Sequence, residues 1–128
     1  MDKYLKLEPG KSVTLFEKDN MKLKDMQSIV GGYIEHVYAN RNFEKNNIDI
    51  WLNEEGKLEK LAPAIVLKNG NEIVDVFVGT ILFTSVNDEG ETVPLNDEQI
   101  KIVSEELKDT LYVSDGIKSY KVHILRYK

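Results

Sequence analysis

One stretch, Leu23 to Tyr38 with the sequence LKDMQSIVGGYIEHVY, constrains the fold more than any other part of the chain. Its first half places apolar residues at helical spacing and predicts an amphipathic helix: Leu23, Met26, Ile29 and Val30. Gly31-Gly32 then ends the helix, because glycine enters the left-handed cap conformation without steric cost. Strand-forming residues follow at once, so we expect a helix that packs on a sheet and leads directly into a central strand of that sheet.

The composition excludes several kinds of chemistry. The chain has no cysteine, which rules out disulfides, thiolate nucleophiles and thiolate metal sites. Its 128 residues, 41% of them hydrophobic, are enough for one domain, 1–128, with a buried core. Residues 1–20 carry charges throughout, and no apolar run has the length of a signal peptide or a membrane span, so we expect a cytoplasmic protein.

The charge distribution bears on possible partners. The net charge is −5, and acidic and basic residues alternate along most of the chain, which argues against nonspecific nucleic-acid binding. Residues 117–128 contain no acidic side chain at all. This C-terminal segment is therefore the one clearly basic part of the sequence.

The segments on either side of the central stretch predict strands and turns. Residues 3–17 form two strand-like runs around a Pro-Gly turn, and Asn20 is a candidate N-cap for the first helix. Residues 39–47 form a polar, asparagine-rich loop. Ile48 to Leu52 alternates as a strand, with Asp49 and Trp51 on the face opposite the aliphatic residues.

The second half of the chain is dominated by β-forming residues. After the turn at residues 53–56, with Gly56 at a position that needs a positive φ, Lys57 to Lys60 is a candidate short strand. The run from Glu72 to Val86 is rich in β-branched and aromatic residues, and Gly79 in its middle predicts a bulge, a kink or a close approach by another group. Asn96 and Gln99 have the spacing of a capping box and predict a second helix.

Residues 111–128 predict two further strands around a Ser-Asp-Gly turn, as a C-terminal β extension. The fold class we expect is α+β, with a mostly antiparallel sheet and two helices. Because the final run, YKVHILRYK, is strongly β-prone and needs a neighbouring strand, we also expect a homo-oligomer, with a dimer as the simplest form.

Several short patterns resemble, in order and spacing, a small protein family of unknown function. These patterns are VGGYIEHVY, WLNEEGKL followed by LAP, VGTILF and LNDEQI, and together they span about residues 23–102. The chain departs from the family pattern at Ala64, where relatives tend to have asparagine. The resemblance implies an origin in phages or mobile elements of Gram-positive bacteria, and it implies no activity.

Two patterns invite a functional interpretation that the residue types only partly support. Gly31-Gly32 could suggest a phosphate loop, but such loops precede a helix, whereas these glycines follow one. His36 could titrate, contact a base or bind a metal, but His123 is the other histidine and neither has a carboxylate at a known ligand spacing. We therefore expect no metal ion, no cofactor and no catalytic residue.

The residues around Asn53 and the two arginines are the candidates for ligand binding. Asn53 begins a turn and could face a ligand with both a donor and an acceptor, although turn geometry alone explains its presence. Arginine suits phosphate recognition because of its rigid fork. Each arginine has aromatic residues nearby in the sequence, so the full candidate set is Arg41, Phe43, Tyr38, His36, Asn53, Arg126 and Tyr127.

Three functions remain open from the sequence. The first is a non-enzymatic binder of a phosphorylated small molecule such as a cyclic nucleotide, acting as a phage "sponge" for second messengers of host antiviral defence. The second is an inhibitor or adaptor that binds a host protein through an exposed strand or helix. The third is a nucleotide hydrolase whose site is assembled from positions that are distant in the sequence.

Overall fold

The chain folds into ten strands and three helices in a computed structural model that describes all 128 residues. The helices are α1 (Leu23–Val30), α2 (Arg41–Lys45) and α3 (Asp97–Glu106). The strands are β1 (Lys3–Leu7), β2 (Thr14–Glu17), β3 (Ile34–Val37), β4 (Ile48–Asn53), β5 (Pro63–Asn69), β6 (Glu72–Val78), β7 (Ile81–Val86), β8 (Thr92–Val93), β9 (Thr110–Ser114) and β10 (Ser119–Arg126). The predicted α+β class is confirmed. None of the helices is long and apolar enough to cross a bilayer.

The strands form two sheets. Sheet A has the order β2-β1-β7-β4-β3, with β8 added beside β7, and all its pairs are antiparallel. Sheet B has the order β6-β5-β10-β9, in which β5 and β10 are parallel and the other pairs antiparallel. The predicted hairpin at residues 3–17 is confirmed as the β1–β2 pair.

The main core lies between the two sheets. From sheet A it receives the predicted aliphatic face of β4, Ile48, Ile50 and Leu52, and from sheet B it receives Ile65 and Leu125, all buried. Residues Val103 and Leu107, at α3 and its end, complete this cluster. The opposite face of sheet A packs on α1 through a smaller cluster, Tyr4, Met26, Val30 and Leu82, with Trp51 against it. The alternation predicted for β4 is therefore confirmed.

The strand that follows the two glycines, β3, was expected to be central. It lies instead at an edge of sheet A. β3 pairs only with β4, and Glu35 and His36 are exposed. Its apolar residues pack on the two core clusters, one on each face of sheet A, and its outer side carries no further strand. Sheet A is centred instead on β7, whose residues Ile81, Leu82 and Phe83 are fully buried.

The apolar run from residue 72 to residue 86 is two strands of different sheets. Gly79, with φ +77°, separates β6 in sheet B from β7 in sheet A, and its N–H donates to Ala62 O at 2.8 Å. A Cβ at Gly79 would lie 2.8 Å from the side chain of Leu61. The predicted kink is thus present, and it is the point where the chain passes between sheets.

The caps of α1 differ from the expectation. The N-cap is Lys22, with Asp25 accepting a hydrogen bond from the Lys22 N–H at 2.9 Å, whereas Asn20 lies in a turn with φ +54°. Gly31, with φ +85°, is the left-handed C-cap, as predicted. Gly32 does not have a positive φ, so backbone conformation does not explain the glycine at this position.

Two segments differ from the predicted secondary structure: a predicted strand forms turns, and a predicted loop contains a helix. Residues 57–60 are turns rather than a strand, and Gly56 has no positive φ but lies against Val78, where a Cβ would be 2.9 Å from Cγ2. The asparagine-rich loop contains α2, because Asn40 caps it by accepting a hydrogen bond from Phe43 N at 2.9 Å. This cap gives the structure one helix more than predicted.

The C-terminal extension forms two strands, as predicted, with β9 at the edge of sheet B and β10 in its interior. β10 lies between β5 and β9, and its residues Val122 and Leu125 are fully buried. The neighbouring strands of YKVHILRYK are therefore β5 and β9 of the same chain, and not a strand of a second copy. A homo-oligomer stays a prediction, but it no longer follows from an unpaired terminal strand.

Candidate functional site

Five of the seven candidate residues fall into three places in the structure, while Arg41 and Tyr127 line neither of the two pockets involved. His36, Tyr38 and Phe43 line a pocket between β3, α2 and β4. Arg126 lines a separate cleft at the end of β10. Asn53 lies at the end of β4, among turns. The candidate residues are therefore spread over separate pockets rather than gathered in one site.

The pocket that contains His36 has a volume of about 170 Å³. His36 Nε2 lies 3.0 Å from Asp49 Oδ1, and the histidine ring packs against Trp51 with ring centroids 5.1 Å apart. Asn40 and Glu44 also line the pocket. Asp49 was not recognised as a partner of His36, because their proximity depends on the register between β3 and β4, which the sequence alone does not give.

Phe43 cannot act as the stacking platform that was expected. Only 2% of its surface is exposed, and its ring packs edge-on against Phe83 with centroids 6.3 Å apart. The neighbouring candidate Arg41 is exposed in the first turn of α2 and lines neither this pocket nor the cleft at β10. Because Arg41 is exposed and Phe43 is buried, the two residues cannot bind the phosphate and the base of one nucleotide as expected.

Asn53 is a structural connector between two turns. It is 3% exposed, its Nδ2 donates to Gly31 O at 3.3 Å and to Glu59 Oε1 at 3.0 Å, and its Oδ1 accepts from Glu55 N at 2.8 Å. Both ends of the side-chain amide are therefore occupied within the chain. This arrangement supports the turn interpretation of Asn53 over the ligand-facing one.

The two arginine-containing segments meet at the end of β10. Asn40 Nδ2 donates to the backbone oxygen of Arg126 at 2.8 Å, and the rings of Tyr38 and Tyr127 pack edge-on with centroids 6.3 Å apart. These contacts hold the start of α2 against the end of sheet B. The sequence placed Tyr38 and Tyr127 in the same candidate set without indicating that they touch.

A cationic cleft of about 240 Å³ lies beside this junction. Three of its five lining residues are cations, and none is acidic: Lys68, Arg126 and Lys128, with Gly70 and Ile124. The parallel register pairs Lys68 with Arg126, and Ile124 lies two residues before Arg126 on β10. All three therefore share one face of sheet B, opposite to the face of Leu67 and Leu125. The cleft is therefore a property of the β5–β10 pairing.

The geometry of the cationic cleft suits an anion. Arg126 Nη2 lies 3.3 Å from Asp109 Oδ2, and both side chains are about half exposed, 57% and 49%, so this ion pair is weak and leaves guanidinium donors available. The acid-free tail was the sequence signal for Arg126. Lys68 was missed, because only the register with β10 brings it to the same place.

Comparisons with known proteins give a family but no activity. A family model described as a domain of unknown function, DUF3846, matches residues 1–108. The chain belongs to this family. No curated protein and no solved structure matches the chain significantly. The match ends before β9 and β10, so Lys68 lies inside the DUF3846 region while Arg126 and Lys128 lie outside it.

Proposed function

We propose that the protein is a non-enzymatic binder of a phosphorylated small molecule, whose phosphate binds in the cationic cleft. The observation that carries this proposal is the cleft itself: three cations and no acid line one concave surface on a chain with a net charge of −5. Acidic residues outnumber basic ones in the chain, 22 to 17, so a cation-only cleft is a local departure from its composition.

The residue types in the cleft favour phosphate over a carboxylate or a simple salt ion. Arg126 can present two parallel N–H donors to two phosphate oxygens, and the ammonium groups of Lys68 and Lys128 can neutralise the remaining charge. Ile124 supplies an apolar surface next to these cations. This combination suits a ligand that joins an anionic group to a less polar body.

The finer part of the proposal is that the ligand is a nucleotide. Tyr127 follows Arg126 directly, and its exposed ring packs edge-on against that of Tyr38, so an aromatic pair lies one residue along the chain from Arg126. The resemblance described above implies a phage or mobile-element setting. In that setting, in the cytoplasm of a bacterial host, a protein that binds a cyclic nucleotide second messenger without converting it would act against antiviral defence.

Calorimetry tests this proposal with pyrophosphate and a panel of linear and cyclic nucleotides. We expect at least one to bind, with an affinity that falls as salt rises. Arg126→Ala and Lys68→Ala should weaken binding by about tenfold or more, since charge-assisted contacts to phosphate are strong. Arg41→Ala is the matched control, because Arg41 is exposed and lies outside the cleft.

The fate of the ligand separates the alternatives. Recovery of the intact nucleotide after denaturation supports a binder, whereas a converted nucleotide identifies a hydrolase and directs attention to His36 and Asp49. Binding that is lost in Arg41→Ala but kept in Arg126→Ala contradicts the assignment to the cleft. No binding by any member of the panel at micromolar concentration rejects the proposed function.

A further inference from the structure

The outer side of β3 is an open edge of sheet A. Glu54 N donates to Tyr33 O at 2.8 Å, and hydrogen-bonded pairs occur at every second residue of an antiparallel pair of strands. The backbone N–H and C=O groups of Glu35 and Val37 therefore face β4. The backbone N–H and C=O groups of Ile34 and His36 therefore point away from the sheet. A row of unpaired backbone groups of this kind is a template for one more strand.

A cleft of about 240 Å³ lies on the inner side of this edge, where sheets A and B diverge. Its apolar floor includes Val37, Leu52 and Phe77, and its rim includes Glu35 and Glu54. The one cation there, Lys57, is already paired with Asp75, with Nζ 2.9 Å from Oδ1. The cleft therefore keeps a net negative charge.

A second cleft, of about 300 Å³, lies on the α1 side of the same edge. It is lined by Gln27 of α1, by Tyr33 and by the carboxylates Glu55 and Glu59. Tyr33 is 70% exposed, so most of its ring is accessible to a ligand. An exposed aromatic ring next to carboxylates suits an ammonium or guanidinium group.

We propose that the open edge of β3 binds an extended, basic peptide segment of a protein partner as an added strand. Successive side chains of such a strand point to opposite faces, so they would enter the two clefts in turn. Both clefts are negative, which selects lysine or arginine in the partner. A second copy of this chain is disfavoured, since pairing of β3 with itself would bring Glu35 of two copies onto one edge. This site is separate from the cationic cleft and has the opposite charge.

The test uses a heptapeptide with three consecutive lysines at its centre and valines on either side, so that lysines point to both faces of the added strand, with fluorescence anisotropy on the full chain. We expect binding that weakens with salt and is absent for the matching peptide with glutamate in place of lysine. Glu35→Gln and Glu55→Gln should each weaken binding roughly two- to fivefold, as for exposed ion pairs. Glu89→Gln, in the exposed turn after β7, removes the same charge elsewhere and should have no effect.

Methylation of the peptide backbone distinguishes strand addition from simple charge attraction. Methyl groups on the alternate amides that face β3 should abolish binding, while methyl groups on the other alternate set should preserve it. Equal binding of the two methylated peptides, or failure of the unmethylated lysine peptide to bind, overturns the proposal. Neither outcome depends on whether the cationic cleft binds a nucleotide.

Discussion

The side-chain amide of Asn53 lies directly against the backbone of Gly32. A Cβ at Gly32 would be 2.9 Å from Asn53 Nδ2 and 3.0 Å from Oδ1. Gly31 is required for its positive φ, whereas Gly32 is required for space. The two adjacent glycines thus meet different demands: Gly31 ends α1 in the left-handed conformation, and Gly32 leaves room for the Asn53 side chain at the end of β4.

We predict that Gly32→Ala lowers the free energy of unfolding by about 1–3 kcal/mol, as expected for overpacking. Combining it with Asn53→Ala should remove most of this additional cost, because the atoms that the new Cβ would meet are gone. Denaturant unfolding of the two single variants and the double variant gives the coupling energy. Gly90→Ala is the control: Gly90 has φ +80° and open space around a Cβ, so its cost arises from the left-handed backbone and should be unchanged by Asn53→Ala. Strict additivity for Gly32 and Asn53 would contradict the contact.

We predict that the C-terminal strand is essential for folding even though it lies outside the DUF3846 match. Leu125→Ala should cost about 2–5 kcal/mol, because its fully buried side chain belongs to the main core. Leu58→Ala, at a position that is 82% exposed, should change stability by less than about 0.5 kcal/mol. Thermal unfolding measures both. A chain shortened to residues 1–108 should lose its cooperative transition, and a cooperative transition there would contradict the role of β10.

The sequence predicted what local chemistry determines. The start of α3 could be read from Asn96 and Gln99 because a capping box is satisfied within one turn. The faces of β4 could be read from alternation alone. The edge position of β3 could not, because whether a strand is central depends on which strands pair with it. The division of the apolar run at Gly79 was likewise visible as a kink but not as a change of sheet.

Gln99 connects α3 to sheet A, and this leads to a third prediction. Its Nε2 donates to Asn46 O and to Ser85 Oγ, both at 2.8 Å, while its Oε1 accepts from Asn96 N at 2.9 Å. Gln99→Met should cost about 1–3 kcal/mol by leaving buried polar groups unpaired. The same change at Gln27, a half-exposed residue of α1, should have a small effect. Equal effects at the two positions in chemical denaturation would show that the hydrogen bonds are not responsible.

The turn between β9 and β10 should open in acid. The backbone N–H groups of Lys118 and Ile117 donate to Asp115 Oδ1 at 2.7 and 2.9 Å, and these bonds hold the pKa of the carboxyl below its usual value. Since the pKa is lowered in the folded state, the stabilisation is present above the pKa of the unfolded chain and is lost as the pH falls through the folded pKa. A carboxyl NMR titration of Asp115 should have its midpoint below that of an unstructured peptide of residues 113–120. Coincident midpoints would contradict the prediction.

The candidate site was predictable only in part, because strand pairing and packing, and not local sequence alone, bring some of its residues together. Arg126 and Tyr127 stood out because residue type and the lack of nearby acids are visible in the sequence. Lys68 and Asp49 did not stand out, since their roles arise from the register between β5 and β10 and from that between β3 and β4. Phe43 was misjudged because its exposure depends on the packing of α2 against Phe83.

The parallel pairing of β5 with β10 also affects how the protein can fold during synthesis. Ile65 of β5 pairs with His123 of β10, so this side of β5 stays unpaired until the segment around residue 123 has been synthesised. Through most of translation, β5 and β6 would exist as a hairpin with one apolar edge unprotected, and long-range pairing of this kind forms slowly. We therefore expect the nascent chain to depend on ribosome-associated chaperones, and to aggregate when translation stops before β10 has emerged.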